Sequence, residues 1–283
     1  MHTTLIDSTT LNQYYKAPDC RVVDARFSLT DPGQGTREYD NGHVPGALYA
    51  HLDDDLSGAV IRGRTGRHPL PAVDQATELF SRWGIDDHVQ VIVYDDTAGS
   101  VAARLWWMLR WLGHDAVAVL DGGWPAWFNA GLPVSRTVPD VKHRSFKAKV
   151  RSHLVTDVKS IEKYRNDPTW TVLDARTSER FRGEQEPIDP VAGHIPGAQC
   201  ATFDENLARN GHFRTPEELR QRFAVLFGGI PAARVINYCG SGVSACHNML
   251  AIAHAGLGDT VLYPGSWSEW ITDKERPIGT GGG

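Results

Sequence analysis

Short runs of apolar residues alternate with longer amphipathic stretches through the first half of the chain. Residues 22–24, 89–94 and 116–120 have the length and β-branched content of buried strands. Residues 73–83 and 99–112 instead repeat their apolar positions with the period of a helix. Because buried strands that alternate with helices form parallel sheets covered on both faces, this pattern predicts an α/β fold.

The second half continues the same alternation. Residues 172–174, 235–238 and 261–263 are predicted strands, and residues 243–255 form an apolar helical stretch. A further helix is expected to begin at Thr215-Pro216-Glu217-Glu218, which combines a capping box with proline at the first helical position. A second, mainly parallel sheet with helices on both faces is therefore expected.

The two halves repeat each other in sequence. Val-Val-Asp-Ala-Arg at 22–26 returns as Val-Leu-Asp-Ala-Arg at 172–176. Gly-His-Val-Pro-Gly-Ala at 42–47 returns as Gly-His-Ile-Pro-Gly-Ala at 193–198. A period of about 150 residues is far too long for a solenoid, so the repeat predicts two copies of one domain.

The length of the chain agrees with two copies. A chain of 283 residues accommodates two domains of about 140 residues, which is a common domain size. We place the first domain at residues 1–138 and the second at residues 152–283. A polar and basic stretch between them contains the linker, residues 139–151.

The two copies differ at the end of one strand. Tyr238 is followed by Cys239 on a glycine-rich turn that leads into a helix, whereas Tyr94 is followed by Asp95 and Asp96. Backbone N–H groups at a helix N-terminus are unpaired and favour an anion. The turn therefore favours the thiolate of Cys239, which is the nucleophilic form.

Composition and charge exclude several classes of function. The net charge of −5 gives no reason to expect nucleic acid as a partner. Residues 1–15 lack the basic start and apolar run of a signal peptide, and no stretch reaches the ~18 apolar residues of a membrane span. We therefore expect no membrane partner and a cytoplasmic location. None of the four cysteines forms a CxxC pair, so no metal site is expected, and the thiols should be free.

At this point the chain resembles the rhodanese family in its tandem two-domain form. The resemblance is carried by the Asp-Ala-Arg strand ends, the Gly-His-x-Pro-Gly-Ala loops and the strand–cysteine loop–helix unit. The loop Cys-Gly-Ser-Gly-Val-Ser-Ala at 239–245 is similar to that of the 3-mercaptopyruvate sulfurtransferases in the family. Thiosulfate sulfurtransferases tend to carry Arg and Lys after the cysteine, where this chain has Gly240 and Ser241.

The resemblance implies an activity. The Cys239 thiolate would take a sulfur atom from a small-molecule donor, with 3-mercaptopyruvate expected, and become a persulfide. A thiol such as thioredoxin, a small thiol or cyanide would then accept that sulfur. No cofactor is implied. The loop amides would stabilise the anionic sulfur, and the loop residues that the resemblance assigns to binding are Gly240, Gly242, Val243 and Ser244.

The resemblance also implies an arginine site for the anionic group of the donor. Arg180 matches the family arginine with this role, and a guanidinium fork suits a carboxylate. Members that act on mercaptopyruvate usually carry a second arginine in a Glu-Pro-Arg stretch, and this chain has Ile188 in that place. Arg182 is the candidate that would compensate for the loss.

A proton relay is implied on the same grounds. His68 matches a histidine from the first copy that reaches the active cleft. With Asp54 and Ser241 it would deliver a proton to the enolate of departing pyruvate.

Three other functions remain open on the sequence alone. Thiosulfate:cyanide sulfurtransfer is the nearest alternative. A cysteine phosphatase with the same fold is disfavoured because residues 239–244 lack the arginine that clamps phosphate. A non-enzymatic binding module is the third, and the first copy, with Asp95 in place of a thiol, is expected to be catalytically silent.

Cys246 is interpreted as a small buried hydrophobe, and His43 and His194 as structural, because both copies carry the histidine.

Overall fold

The chain folds into two compact units, as described for residues 1–282 in a computed structural model. Unit 1 consists of Met1–Gly58, Leu70–Arg151 and Arg209–His212. Unit 2 consists of Ala59–Pro69, Ser152–Ala208 and Phe213–Gly283, of which the final residue lies outside the described range. The segment Ala59–Pro69 comes from the first sequence copy but packs in unit 2, which neither the periodicity nor the repeat indicated.

Unit 1 is a five-stranded parallel sheet with helices between its strands. The strands are β1 (Leu5–Ile6), β2 (Cys20–Asp24), β3 (Leu48–Tyr49), β4 (Gln90–Tyr94) and β5 (Val117–Leu120). The helices are α1 (Ser8–Tyr14), α2 (Gln34–Asn41), α3 (Val73–Arg82), α4 (Ala102–Trp111) and α5 (Gly123–Asn129). The strand order is β1-β5-β4-β2-β3, and all the pairs are parallel.

Unit 2 repeats this arrangement with four strands. They are β6 (Thr171–Asp174), β7 (Gln199–Cys200), β8 (Val235–Tyr238) and β9 (Val261–Leu262), in the order β7-β6-β8-β9. The helices are α6 (Val158–Tyr164), α7 (Ser178–Arg182), α8 (Pro216–Phe227), α9 (Ala245–His254) and α10 (Ser266–Trp270). A single parallel bridge between Val155 and Leu262 occupies the place of β1.

Each unit has its own apolar core and its own buried ion pair. Val22, Ile92 and Ala118 pack in the core of unit 1, and unit 2 has a corresponding core. At the end of β2, Asp24 pairs with Arg26 at 2.6 Å, and the end of β6 repeats this pair. The α/β fold with two mainly parallel sheets is therefore confirmed.

The predicted elements are confirmed, but two helices begin later than expected. The helix predicted from Gly99 begins at Ala102, and the helix predicted from Val243 begins at Ala245. In both places the residues before the helix form a turn around the residue that follows the preceding strand, Asp95 or Cys239. None of the helices within residues 1–282 is long and apolar enough to cross a membrane.

Candidate active site

Cys239 follows β8 directly and lies at the carboxyl edge of the sheet of unit 2. The residue is only 2% exposed, and its Sγ accepts a hydrogen bond from the Gly242 N–H at 3.2 Å. Gly242 has φ +77°, and a Cβ there would lie 2.5 Å from the Pro264 carbonyl oxygen, so only glycine fits. The turn therefore directs a backbone donor at the sulfur, as the sequence predicted.

Residues at the N-terminus of α10 form hydrogen bonds with the backbone of Cys239. Ser266 Oγ accepts from the Cys239 N–H at 3.1 Å, and the Trp267 N–H donates to the Cys239 carbonyl at 3.0 Å. Ser266 has φ +56°, which is unusual for a residue with a Cβ, and its Oγ also donates to Tyr263 O at 3.0 Å. The sequence analysis missed Ser266. The available signal was that Ser266 corresponds to Gly123 in the first copy, a glycine that also has positive φ.

The other loop residues begin the next helix. The Val243 carbonyl accepts from Cys246 N at 3.0 Å, and the Ser244 carbonyl accepts from His247 N at 3.1 Å. Their carbonyls thus belong to the first turn around α9. The substrate-binding roles expected for Val243 and Ser244 stay predictions.

His68 and Ser241 lie together in unit 2. His68 Nδ1 and Ser241 Oγ share a hydrogen bond of 2.7 Å, and both residues are about 95% buried. The predicted relay member Asp54 lies in unit 1, where its carboxylate is 3.4 Å from His51 Nδ1 and its side chain is 83% exposed. The structure therefore brings His68 to Ser241, and the part of Asp54 in the relay stays a prediction.

Arg180 is held by two buried carboxylates. Its Nε and Nη2 donate to Glu186, with a shortest distance of 2.7 Å, and Nη2 also lies 3.1 Å from Asp189 Oδ2. Burial acts to raise the pKa of Glu186, but the Arg180 guanidinium and the Asp189 and Ile188 amides outweigh it and lower that pKa. Burial raises the pKa of Asp189, against the opposing charge of Arg67.

Sequence reasoning missed Arg67, which precedes His68. Its guanidinium forms an ion pair with Asp189 Oδ1. A Cβ built on Gly240 would lie 2.8 Å from Arg67 Nη2 and 3.6 Å from Arg180 Nη2. Gly240 and Ser241 leave the loop's own residues without positive charge, but two guanidinium groups lie beside it.

Arg182 has different surroundings from Arg180. Its Nε is 2.7 Å from Glu184 Oε1, and its side chain is 35% exposed. It lines a small pocket with Cys200, and its partner Glu184 is not one of the two carboxylates that bind Arg180. The compensating role proposed for Arg182 gains no support from these contacts and stays a prediction.

The corresponding loop of unit 1 is filled by a carboxylate. Asp95 Oδ1 accepts from the amides of Thr97 and Gly99, and Oδ2 accepts from those of Val101 and Ala102, all at 2.8–2.9 Å. The Asp95 side chain thus occupies the turn with its own negative charge.

Around the unit 1 loop, acidic side chains occupy positions where unit 2 has an arginine or a glycine. Glu38 precedes Tyr39, whose carbonyl binds His43, just as Arg180 precedes Phe181, whose carbonyl binds His194. Asp96, in the place of Gly240, shares a pocket with Glu38. Burial, with Asp95 and Glu38 adding to it, raises the pKa of Asp96 to about 6.

No cluster of three or more His, Cys, Asp or Glu side chains suited to a metal ion occurs among residues 1–282. The site itself brings together a thiol, two guanidinium groups and a histidine–serine pair.

Comparison with known proteins places both halves in one domain family. The rhodanese-like domain matches residues 7–130 and 157–273. A Pseudomonas aeruginosa protein, whose name attributes 3-mercaptopyruvate sulfurtransferase activity to it, is 49% identical over 265 residues, or 93% of each chain. A Mycobacterium tuberculosis protein, whose name attributes thiosulfate sulfurtransferase activity to it, is 41% identical over 92% of this chain and 90% of its own.

Solved structures show the same likeness. The 3-mercaptopyruvate sulfurtransferase from Leishmania major superposes with a TM-score of 0.83 and 31% sequence identity. The match covers 97% of this chain and 75% of that one. The likeness therefore extends over both units and includes the loop that carries Cys239.

Proposed function

The chain belongs to the rhodanese family of sulfurtransferases, and we propose that it transfers the sulfur of 3-mercaptopyruvate through a persulfide on Cys239. The observation that carries the proposal is the buried thiol with a backbone N–H aimed at its sulfur. Such a donor stabilises negative charge on the thiolate before the reaction and on the persulfide after it.

The first step moves one sulfur atom from the donor to the enzyme. The Cys239 thiolate attacks the thiol sulfur of mercaptopyruvate, and a bond forms between the two sulfur atoms. The carbon–sulfur bond of the donor breaks, and its electron pair remains on the carbon, which gives the enolate of pyruvate. The enzyme then carries a persulfide, and neither an external oxidant nor a reductant is required.

The enolate must gain a proton to leave as pyruvate. Ser241 follows the thiol by two positions, and its hydroxyl shares a 2.7 Å hydrogen bond with His68. We assign delivery of the proton to Ser241, with His68 as the group that supplies it. The role of Asp54 in orienting His68 remains part of the proposal.

The second step returns the enzyme to its starting state. A thiol or cyanide attacks the outer sulfur of the persulfide, the sulfur–sulfur bond breaks, and the Cys239 thiolate is the leaving group. Thioredoxin and small thiols are the proposed acceptors. They are abundant in a reducing cytoplasm, which is where we propose that the protein acts.

Intact mass spectrometry tests the function and the donor together. The purified protein is mixed with mercaptopyruvate or with thiosulfate, its mass is measured, and cyanide is then added. We expect a gain of one sulfur atom from mercaptopyruvate that cyanide removes, and a higher kcat/KM with mercaptopyruvate than with thiosulfate. A sulfur atom that is gained by a Cys239→Ser variant would disprove the assignment of the nucleophile.

Thiosulfate is a second candidate donor, and one specific observation favours it. The Arg67 and Arg180 guanidinium groups beside Gly240 offer positive charge to a sulfonate as well as to a carboxylate. A higher kcat/KM with thiosulfate would replace the donor and leave the persulfide chemistry in place.

A further inference from the structure

We propose that unit 1 binds an extended, basic segment of a partner protein in the pocket that corresponds to the catalytic site of unit 2. This pocket has a volume of about 330 Å³, and its lining includes Arg26, Glu38, Asp96, Trp124, Phe128 and Val134. All of these residues belong to unit 1. The proposal concerns a surface of the copy without the thiol, so it does not depend on the donor that Cys239 uses.

A segment that covers the corresponding site in unit 2 is missing from unit 1. In unit 2, His194 stacks on Phe181 and follows it by thirteen positions. In unit 1, His43 stacks on Tyr39 and follows it by only four positions. The additional residues of unit 2 lie within positions 183–192, and unit 1 has no counterpart of them.

In unit 2 this segment accepts hydrogen bonds from a stacked arginine–tryptophan pair. The Val191 carbonyl accepts from Trp267 Nε1 at 2.8 Å, and Glu186 accepts from Arg176 Nη1 at 3.3 Å. The Arg176 guanidinium lies over the Trp267 ring, 4.8 Å from its centroid. Trp267 is fully buried in this arrangement.

Unit 1 has the same stacked pair without the cover. The Arg26 guanidinium lies 4.6 Å from the centroid of the Trp124 ring, and Trp124 is only partly buried. Arg26 is 3% exposed, and its Nε and Nη2 bind Asp24 and the Gly42 carbonyl. Arg26 Nη1 and Trp124 Nε1 have no acceptor among residues 1–282. Because both side chains line the pocket, these two donors remain for the carbonyl groups of a bound polypeptide.

The carboxylates of Glu38 and Asp96 determine the charge of the pocket. Arg26 does not neutralise them, because its own charge is paired within the buried ion pair at the end of β2. Glu38 has the place of Arg180, which the covering segment of unit 2 binds through Glu186 at 2.7 Å. Since the charge on the helix is opposite in unit 1, the bound segment should carry a lysine or an arginine in the place of that glutamate.

Exposed apolar side chains border this acidic pocket. Phe128 is 58% exposed and Val134 is 44% exposed, and both line the pocket together with Trp124. Apolar side chains exposed around a polar centre are typical of sites that bind proteins, whereas a small-molecule site encloses most of its ligand. We therefore infer a polypeptide that has apolar residues beside its basic one.

Fluorine NMR of the full chain labelled with 5-fluorotryptophan tests the pocket directly. The Trp124 signal is identified as the one that Trp124→Phe lacks. The probe is a synthetic peptide of residues 185–192 that carries Glu186→Lys and Asp189→Lys, and the unaltered peptide is the matched control. We expect the lysine peptide to shift the Trp124 signal saturably and the unaltered peptide to bind at least about tenfold more weakly.

Substitutions in the pocket identify the contact that selects the charge. Glu38→Arg, which gives unit 1 the residue type of unit 2, should reverse the preference between the two peptides. Glu38→Gln should weaken binding of the lysine peptide about three- to tenfold, because this carboxylate is only partly buried. Asp40→Asn changes an exposed carboxylate of the same helix and should bind as wild type. Persulfide formation on Cys239 should be the same in all three variants.

The outcomes distinguish the proposed partner from other ligands. If the lysine peptide leaves the Trp124 signal unchanged, or if both peptides bind equally, the proposal is wrong, and this comparison needs no variant to fold. Equal affinity for Nα-acetyl-lysine methylamide would make the pocket a site for a small cation and would overturn the polypeptide partner. A Trp124 shift that depends on protein concentration in the absence of peptide would overturn it in favour of a second copy of the chain.

Discussion

Two cysteines of unit 2 lie seven positions apart and differ in what their sulfur atoms contact. Cys239 Sγ accepts the Gly242 N–H, whereas Cys246 Sγ donates to the Gly242 carbonyl at 3.5 Å from within α9. Only the first arrangement stabilises an anionic sulfur. The two thiols therefore form a matched pair for mutagenesis.

Cys239→Ser is expected to abolish sulfur transfer and to leave the fold intact, because a hydroxyl cannot form the persulfide. Cys246→Ser should retain most of the activity. Thiocyanate formation from each donor measures the activity, and circular dichroism checks the fold. Substantial turnover by Cys239→Ser, together with its loss in Cys246→Ser, would exchange the roles of the two thiols.

Ser241→Ala is expected to lower kcat with mercaptopyruvate on the order of a hundredfold, because the enolate then lacks its proton donor. With thiosulfate the leaving group is sulfite, which needs no proton on carbon, so kcat should change little. Comparing the two donors in one variant separates the relay from a general disturbance of the loop. An equal loss with both donors would speak against the relay.

At the scale of elements, the strands and the order of the helices were predictable from the sequence. The first residues of α4 and α9, and the contacts by which neighbouring elements fix the cysteine loop, were not. The glycines after Cys239 predict a turn, because two of the three positions 240–242 lack a side chain. The left-handed conformation of Ser266 was missed, because a residue with a Cβ rarely adopts positive φ and only its correspondence with Gly123 in the first copy pointed to it. Its conformation is supported by hydrogen bonds to Cys239 N and Tyr263 O, which only tertiary structure brings together.

The turn before α4 depends on one carboxylate, which gives a prediction for stability. Asp95→Ala removes the acceptor of four backbone amides and should destabilise unit 1 by at least about 2 kcal/mol. Asp7→Ala, which removes the cap of α1 with its one backbone bond to Thr10 N and its bond to the exposed Thr10 hydroxyl, should cost only about 1 kcal/mol. Urea unfolding measures both.

The same variant tests whether the first copy is silent in the reaction. A carboxylate cannot carry sulfur as a persulfide, so the rate of persulfide formation in folded Asp95→Ala should equal that of wild type. Stopped-flow measurement under conditions where the protein is folded decides this. A loss as complete as that of Cys239→Ser would show that both halves take part.

At the scale of the whole chain, the duplication was readable from the sequence, and the division of its segments was not. The repeated motifs gave the two sheets and their order of elements. They did not indicate that Ala59–Pro69 packs in unit 2, because this segment has no helical or strand periodicity. Arg67 was missed for the same reason, whereas its neighbour His68 was found through the family resemblance.

The carboxylates around the unit 1 loop predict that the stability of the protein depends on pH. Because burial and the neighbouring carboxylates raise the pKa of Asp96 to about 6, its protonated form is favoured in the fold. The stabilisation that protonated Asp96 contributes is fully present at pH values below the pKa of this group in the unfolded chain, near 3.8. It is lost as the pH rises through about 6, the pKa in the folded protein. Asp96→Asn, which mimics the protonated form, should therefore stabilise the protein at pH values well above 6.

We expect this gain to be about 1 kcal/mol, since Asp96 is half-buried and solvent screens part of the effect. The gain should shrink as pH falls from about 6 towards 4. Denaturant unfolding over this range measures it, with the exposed Asp40→Asn as control. A gain that is constant with pH would show that ionisation of Asp96 is not its source.

The space above Gly240 has a consequence for how such loops can change in evolution. A side chain at position 240 would occupy the place of the Arg67 guanidinium, whose Nη2 lies 2.8 Å from the position of a Cβ. An arginine in the loop and an arginine at 67 are therefore alternatives, and the substitutions that exchange them are epistatic. A side chain at position 240 displaces the Arg67 guanidinium from its ion pair with Asp189, so we expect a single exchange at position 240 to be more deleterious than the same exchange combined with one at position 67.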